Sequence, residues 1–213
     1  MFNATRPQPG PDCSKDYRSK EVIDALREIF YGKCYLCEDE TQNPEIDHFI
    51  PRETDPAKIY DWNNLYYICG RCNGVKRTAT DILDCCNAVD VVSRAIKCIV
   101  PSIPDGDIIV DAQDDRETTK NTADLLNRCY NEKNTGNRGI TRELLHERIF
   151  EEYSGFIKYR TALKSKKSLP RQKDDAKQRL LNMTQDSYPF SIFWKWHIWS
   201  DPYLSSVLDF RNL

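Results

Sequence analysis

Two Cys-x-x-Cys pairs, Cys34/Cys37 and Cys69/Cys72, enclose a stretch that contains the dipeptide Asp47-His48. Two residues between cysteines let both thiolates of a tight knuckle point at one ion, and two such knuckles complete a tetrahedral sulfur set. Four sulfurs leave no open position for water, so zinc held by Cys34, Cys37, Cys69 and Cys72 is structural. The Asp-His pair offers a different chemistry. A carboxylate beside an imidazole can hold a hard divalent cation against a phosphate and deprotonate a water, because an unperturbed imidazole is largely neutral at pH 7. Asn73 and Lys76 stand behind the last cysteine. On a helix Cys72 and Asn73 are about 100° apart, so one can face the zinc while the other offers its amide oxygen to a second metal. Lys76, at i+3 from Asn73, shares that face, where an ammonium can steady a phosphate.

These side chains need elements that aim them. Neighbours on a regular strand face opposite ways, so Asp47 and His48 converge only at a strand end or twist, and Phe49 and Pro51 mark such an end. Two short apolar stretches, Ile46 to Ile50 and Leu65 to Ile68, and a helix opening near Gly70 complete a compact module over 33–80. Upstream, residues 1–17 are polar and proline-rich and are expected to lie extended over the surface or a partner. Val22, Ala25, Leu26, Ile29 and Phe30 predict a helix over 19–31, N-capped by Ser19 and ended by Gly32. Downstream, 81–213 reads as a helical region for partner and nucleic-acid binding. Ile82, Cys85, Cys86, Val89, Val92 and Ile96 predict one helix, closed by Pro101 and Pro104. DIIVDA, 107–112, is open between strand and extended loop. Further helices are expected after Thr122 and from about Thr141 to Lys164; Ser168 to Pro170 breaks the basic stretch, and helix is expected to resume to Met183. The aromatic tail SYPFSIFWKWHIWSDPY reads as a core helix, with a docking face as the alternative; His197 is expected to be packed there and His146 to lie on a helix surface.

Composition narrows the class. The chain has 213 residues, 39% of them hydrophobic, enough for a real core. No apolar run approaches the roughly 18 residues of a membrane span, and prolines interrupt the start, so a cytoplasmic protein without membrane contact is expected. The nine cysteines are odd in number and four form two knuckles, which favours metal over disulfides. Net charge is −2, poor for finding nucleic acid by long-range attraction alone. The charge is uneven, however: residues 156–180 carry nine Lys or Arg against two Asp, while 105–117 carry six acids and one Arg.

Taken in order, CYLC, IDHFIPR, WNNL and CGRCNGVK resemble the HNH, or ββα-metal, nucleases in their zinc-stapled form. The resemblance covers about 34–77. It implies an α+β, mainly helical chain with a ββα-metal module around the four-cysteine zinc site and a helical C-terminal region. It further implies a catalytic Mg²⁺ or Mn²⁺ held at Asp47 and Asn73, a general base at His48, an orienting asparagine at Asn64, and hydrolysis of nucleic-acid phosphodiester bonds. The third signature position, often histidine in the family, is Asn73 here. Together with TADLLNRCYNEKNTGNRGITRELLHER, the motifs look like the HNH subunits of Septu-type bacterial antiphage systems, which also accompany some retrons. That resemblance implies an ABC-type ATPase partner, PtuA-like. Arg52 stands where a lysine is expected and keeps a phosphate-binding basic group near the site. The alternative is a non-catalytic zinc module that binds nucleic acid or scaffolds a partner; it needs the cysteines but leaves Asp-His and Cys-Asn-x-x-Lys unexplained.

Overall fold

The computed structural model describes residues 1–103, 106–133 and 140–208; Pro104 lies outside them. Helix α1 (Lys20–Ile29) starts where the Ser19 hydroxyl accepts the Val22 amide at 3.3 Å. Past Ile29 the chain turns through Tyr31 and Gly32, both at positive φ (+55° and +68°), and the Gly32 amide returns to the Arg27 carbonyl at 2.8 Å. Strands β1 (Pro44–His48) and β2 (Leu65–Cys69) pair antiparallel, Pro44 opposite Cys69 and His48 opposite Leu65. Helix α2 (Gly70–Lys76) follows β2 directly. The 49–64 connection contains two 3-10 turns, Pro56–Lys58 and Trp62–Asn64, each opened by an aspartate side chain that accepts an amide two residues on, Asp55 from Ala57 and Asp61 from Asn63.

The helix expected over 82–96 is not formed. Asp84 accepts the Cys86 amide at 2.7 Å and Asn87 accepts the Val89 amide at 3.1 Å, so these side chains hold successive turns in place of helical hydrogen bonds. Only a short α3 (Val92–Ala95) remains, and Ile96 opens β3 (Ile96–Ile99), which pairs antiparallel with β4 (Ile109–Ala112). The last four residues of DIIVDA are therefore strand. Helix α4 (Glu117–Asn131) begins before Thr122. Helix α5 (Arg142–Lys164), capped by the Thr141 hydroxyl, and α6 (Pro170–Met183) form a hairpin. Helices α7 (Ser191–Ser200) and α8 (Pro202–Val207) close the described chain. No helix among the described residues is long and apolar enough to cross a membrane.

Two terminal segments differ from a free docking role. The first residues are extended, but Met1, Phe2, Ala4 and Cys13 are buried, the Ala4 amide bonds the Cys85 carbonyl at 2.9 Å, and Arg6 donates to the carbonyls of Trp62 and Leu65. Gly10 lies so close to Trp62 that a β-carbon there would fall 2.2 Å from the indole. In the aromatic tail Ile192, Phe193, Trp194 and Ile198 are fully buried, and Trp196 donates its indole N–H to the Ser93 and Ile96 carbonyls. Burial of these apolar side chains anchors both ends to the core, while much of the stretch from Thr5 to Arg18 stays on the surface, as expected for an extended segment.

Candidate active site

The four knuckle cysteines are buried, and their sulfurs lie within 4.8 Å of one another. Zinc–thiolate bonds of about 2.3 Å in a tetrahedron require sulfurs about 3.8 Å apart, and Cys37 Sγ lies 3.9 Å from Cys69 Sγ. Hydrogen bonds from Cys34, Cys37 and Cys72 hold the Cys69 thiol well below its usual range. The donor set fits one thiophilic tetrahedral ion, for which zinc is suited.

One residue between the cysteines of each knuckle, Tyr35 in the first and Arg71 in the second, reaches away from the sulfurs into the rest of the fold. The Tyr35 ring is fully buried, and its hydroxyl donates to Asp47 Oδ2 at 2.8 Å. Tyr35 also packs on Tyr66, and Tyr66 on Phe49 and Phe30, at centroid separations of 4.9, 5.0 and 5.6 Å. Such aromatic pairs contribute about 0.5–1.5 kcal/mol each beyond area burial. Arg71, fully buried in the second knuckle, donates Nε to the Cys129 carbonyl at 2.9 Å and Nη2 to the Glu132 carbonyl at 2.6 Å. It thereby places a cation at the C-terminal end of α4, where helix carbonyls gather partial negative charge. His146, expected on a helix surface, is instead buried; its Nε2 lies 3.0 Å from the Tyr130 carbonyl, which α4 leaves unpaired near its end.

His48 is the last residue of β1, the strand end its convergence with Asp47 requires. Its Nε2 donates to the Ile59 carbonyl at 3.0 Å, a bond that assigns the proton to Nε2 and leaves the lone pair on Nδ1. Burial lowers the imidazole pKa, and the Arg52 charge adds to the lowering against the Ile59 bond, so the ring is neutral at pH 7. Tyr17 packs edge-on against the ring at 4.9 Å. Asn64, buried, bridges the loop after His48: Oδ1 accepts the Ile50 amide at 2.7 Å, and Nδ2 donates to the Ile50 and Lys58 carbonyls at 3.0 and 3.2 Å. It touches the backbone that carries His48 and Ile59, not the imidazole. Arg52 is exposed in the turn after Pro51.

Helix α2 lies against the strand face that presents Glu45 and Asp47. Residues two apart on a strand and three apart on a helix match in spacing, so two pairs form side by side. Asn73 donates Nδ2 to Glu45 Oε2 at 2.5 Å, while Lys76 Nζ lies 3.1 Å from Asp47 Oδ2 and also donates to the His48 and Phe49 carbonyls. Asn73 Oδ1 accepts no hydrogen bond among the described residues. Burial pushes the Asp47 carboxyl up, against the Lys76 ammonium and the Tyr35 hydroxyl. Lys76, placed at a phosphate by its helical position, is 1% exposed and directs its charge to Asp47 and two carbonyls; its place is beneath the site as counter-ion. Asp47 and Asn73 share the face but form no hydrogen bond with each other among the described residues. The oxygens of Asp47, Asn73 and Glu45 form a hard donor set that suits Mg²⁺ or Mn²⁺ by type.

Sequence reasoning missed Tyr35, Glu45, Tyr17 and the Ile59 carbonyl. Alternation along β1 was the available signal for Glu45, two residues before Asp47. Nothing local announces Tyr17, which reaches His48 from the N-terminal segment, or Ile59, which reaches it through the folded 49–64 connection.

The ββα arrangement of these residues defines an HNH endonuclease domain: residues 34–78 match the HNH endonuclease family model. The chain is also similar, over part of its length, to two curated relatives, each called Septu protein PtuB. One, from Bacillus thuringiensis, is 41% identical over 58 residues, covering 25% of this chain and 23% of that protein. The other, from Bacillus mycoides (strain KBAB4), is 34% identical over 73 residues, covering 27% of this chain and 25% of that protein. The chain thus spans about a quarter of the length of these relatives. No solved structure matches.

Proposed function

We propose that the chain is a divalent-metal-dependent HNH endonuclease that hydrolyses nucleic-acid phosphodiester bonds, and that it serves as the nuclease subunit of a Septu-type antiphage complex with an ABC-type ATPase. The observation that carries the catalytic part is His48: a neutral imidazole whose Nε2–H is given to Ile59, with Nδ1 left to accept a proton beside a buried carboxylate. In this reading Nδ1 takes the proton of the attacking water. Asn64 keeps the 50–58 loop, and with it Ile59, where the imidazole stays correctly oriented. Tyr35 and Lys76 hold Asp47 in one rotamer, so the hard oxygens of Asp47 and Asn73 are the residues that would hold Mg²⁺ or Mn²⁺. When bound, that ion supplies charge stabilisation at the phosphate and the leaving oxygen. Arg52, exposed near His48, is the group available to a flanking phosphate. Zinc at Cys34, Cys37, Cys69 and Cys72 supports the fold, not the reaction.

The Septu assignment rests on similarity to the two relatives and on a chain whose net charge of −2 suits a nuclease that is guided by a partner. The test of the catalytic reading is incubation of the purified chain, with and without that ATPase, with phage DNA and cellular RNA in Mg²⁺ or Mn²⁺. Cleavage abolished by chelation of the divalent ion is expected. Absence of cleavage under every combination, with zinc retained, favours the non-catalytic zinc module.

A further inference from the structure

The hairpin of α5 and α6 carries charge that the fold does not use. From Tyr153 to Lys173 there is no acidic residue, yet Lys158, Arg160, Lys164, Lys166, Lys167, Arg171 and Lys173 all fall there. Within the chain Arg160 pairs with Asp201, and Lys164 lies over the Tyr203 ring at 5.7 Å. Lys158, Lys166, Lys167, Arg171 and Lys173 have no carboxylate partner among the described residues, and all but the half-buried Lys173 are exposed. Elsewhere, surface lysines such as Lys20, Lys97 and Lys120 are matched by Asp24, Asp111 and Asp115.

The backbone beneath these free cations is pinned. Ser165 Oγ accepts the Lys167 amide at 3.1 Å, Gln172 Oε1 accepts the Leu169 amide at 2.8 Å, and Pro170 fixes the first turn of α6. Tyr203 donates its hydroxyl to the Leu163 carbonyl at 2.9 Å, and Leu163 is buried. A rigid turn with unpaired, long cationic side chains is pre-organised for a polyanion, because its backbone is ordered before binding. The remainder of the chain is more acidic than the net −2, so long-range attraction of a polyanion falls mainly to this hairpin.

We infer that the α5–α6 turn, through Lys166, Lys167 and Arg171, is a docking surface for the sugar-phosphate backbone of the nucleic acid that the HNH site cuts. The inference rests on the nuclease reading for its substrate, but its test reads binding, not cutting. Counterion release predicts that the salt slope on duplex DNA shrinks by about 0.9 for each phosphate that a variant no longer neutralises. The variant Lys166→Glu/Lys167→Glu/Arg171→Glu is compared with wild type and with a control, Lys20→Glu/Lys97→Glu/Lys120→Glu, which carries the same number of reversals at already paired lysines. Fluorescence anisotropy with a labelled duplex of about 30 base pairs, without added divalent ion, gives Kd as a function of salt. The expected result is at least a ~10-fold loss of affinity and a slope smaller by about 2–3 for the hairpin variant alone. Equal affinity and slope in the two variants overturns the inference. So does unchanged DNA binding with loss of the ATPase on co-purification, which assigns the turn to an acidic protein face. Cleavage of the same duplex in Mn²⁺ is followed in parallel: if wild type binds through the hairpin and cuts nothing, the nuclease reading fails while the docking surface stands.

Discussion

Lys76 and Asp47 form a buried ion pair at the centre of the site, and the pair makes each partner conditional on the other. Removing the ammonium leaves a buried carboxylate with only the Tyr35 hydroxyl, and breaking one side of such a pair costs about 3–5 kcal/mol. Lys76→Met is therefore expected to lower the urea midpoint clearly, and Lys76→Met/Asp47→Asn to recover most of the loss. A double variant no more stable than the single would show that the pair is not the stabilising unit. Tyr35→Phe removes a single hydrogen bond to a charged group, worth about 1.5–3 kcal/mol. Its expected signature is a raised half-maximal concentration of Mg²⁺ or Mn²⁺ for cleavage, with the rate at saturating metal little changed, because Asp47 loses its fixed rotamer. Unchanged metal titration would release Tyr35 from that role. The residue types at the site are readable because Asp-His and Cys-Asn-x-x-Lys are contiguous in sequence. The partners of Asp47 and Asn73 are not, because they depend on which strand face α2 covers.

Helices and strands set out these contacts, and their legibility follows how local their causes are. Helix α5 is predictable to within a residue because Thr141 caps it, Ser165 ends it and its apolar positions repeat. The 82–91 segment misleads because Asp84 and Asn87 bond their own neighbouring amides, which periodicity does not register. At this scale the four-cysteine set joins β2, α2 and the first knuckle, which a zinc ion held there would clamp together. Cys69→Ser is expected to lose the ion and to unfold or aggregate the nuclease region, since metal-binding free energy here is folding free energy; a soluble variant with native circular dichroism and zinc content would contradict it. Helix α7 carries a second testable device. His197 accepts the Val100 amide at Nε2, 3.2 Å, among Tyr153, Phe156 and Trp194, and burial lowers its pKa to about 4. The unfolded chain takes that proton near pH 6.5, so the unfolded state binds more protons between the two values. Stability is fully present above about pH 6.5 and falls as pH drops towards 4, by about 2 kcal/mol at pH 5. Urea denaturation at pH 8 and pH 5 should show that loss in wild type and a smaller one in His197→Gln. Equal losses would clear His197.

The whole molecule ties the nuclease module to its helical remainder through buried groups, not a linker. Arg71 anchors α2 to the end of α4, the Tyr130 hydroxyl reaches the Cys37 carbonyl at 3.3 Å, and Glu38 accepts from Ser191 at the start of α7. These buried bonds couple the two parts, and the proposed ATPase, if it grips the helices, would reach the HNH site through them. Met1, Phe2, Ala4 and Cys13 and one face of the aromatic helix are packed into the core, so the proposed partner would have the exposed residues of these segments and the remaining surface to bind. Co-expression with the ATPase and size-exclusion chromatography are expected to give a joint peak; a stable monomer that cuts host and foreign nucleic acid alike would leave a free-standing endonuclease. The central claim is that His48 is the base. Cleavage of labelled nucleic acid in Mn²⁺ under single-turnover conditions, by wild type and by His48→Ala of equal zinc content and equal thermal stability, tests it most directly. The variant is predicted to cut more slowly by several orders of magnitude, about 10²–10⁴-fold being the reach of one general base; near wild-type cutting by the variant would contradict the account.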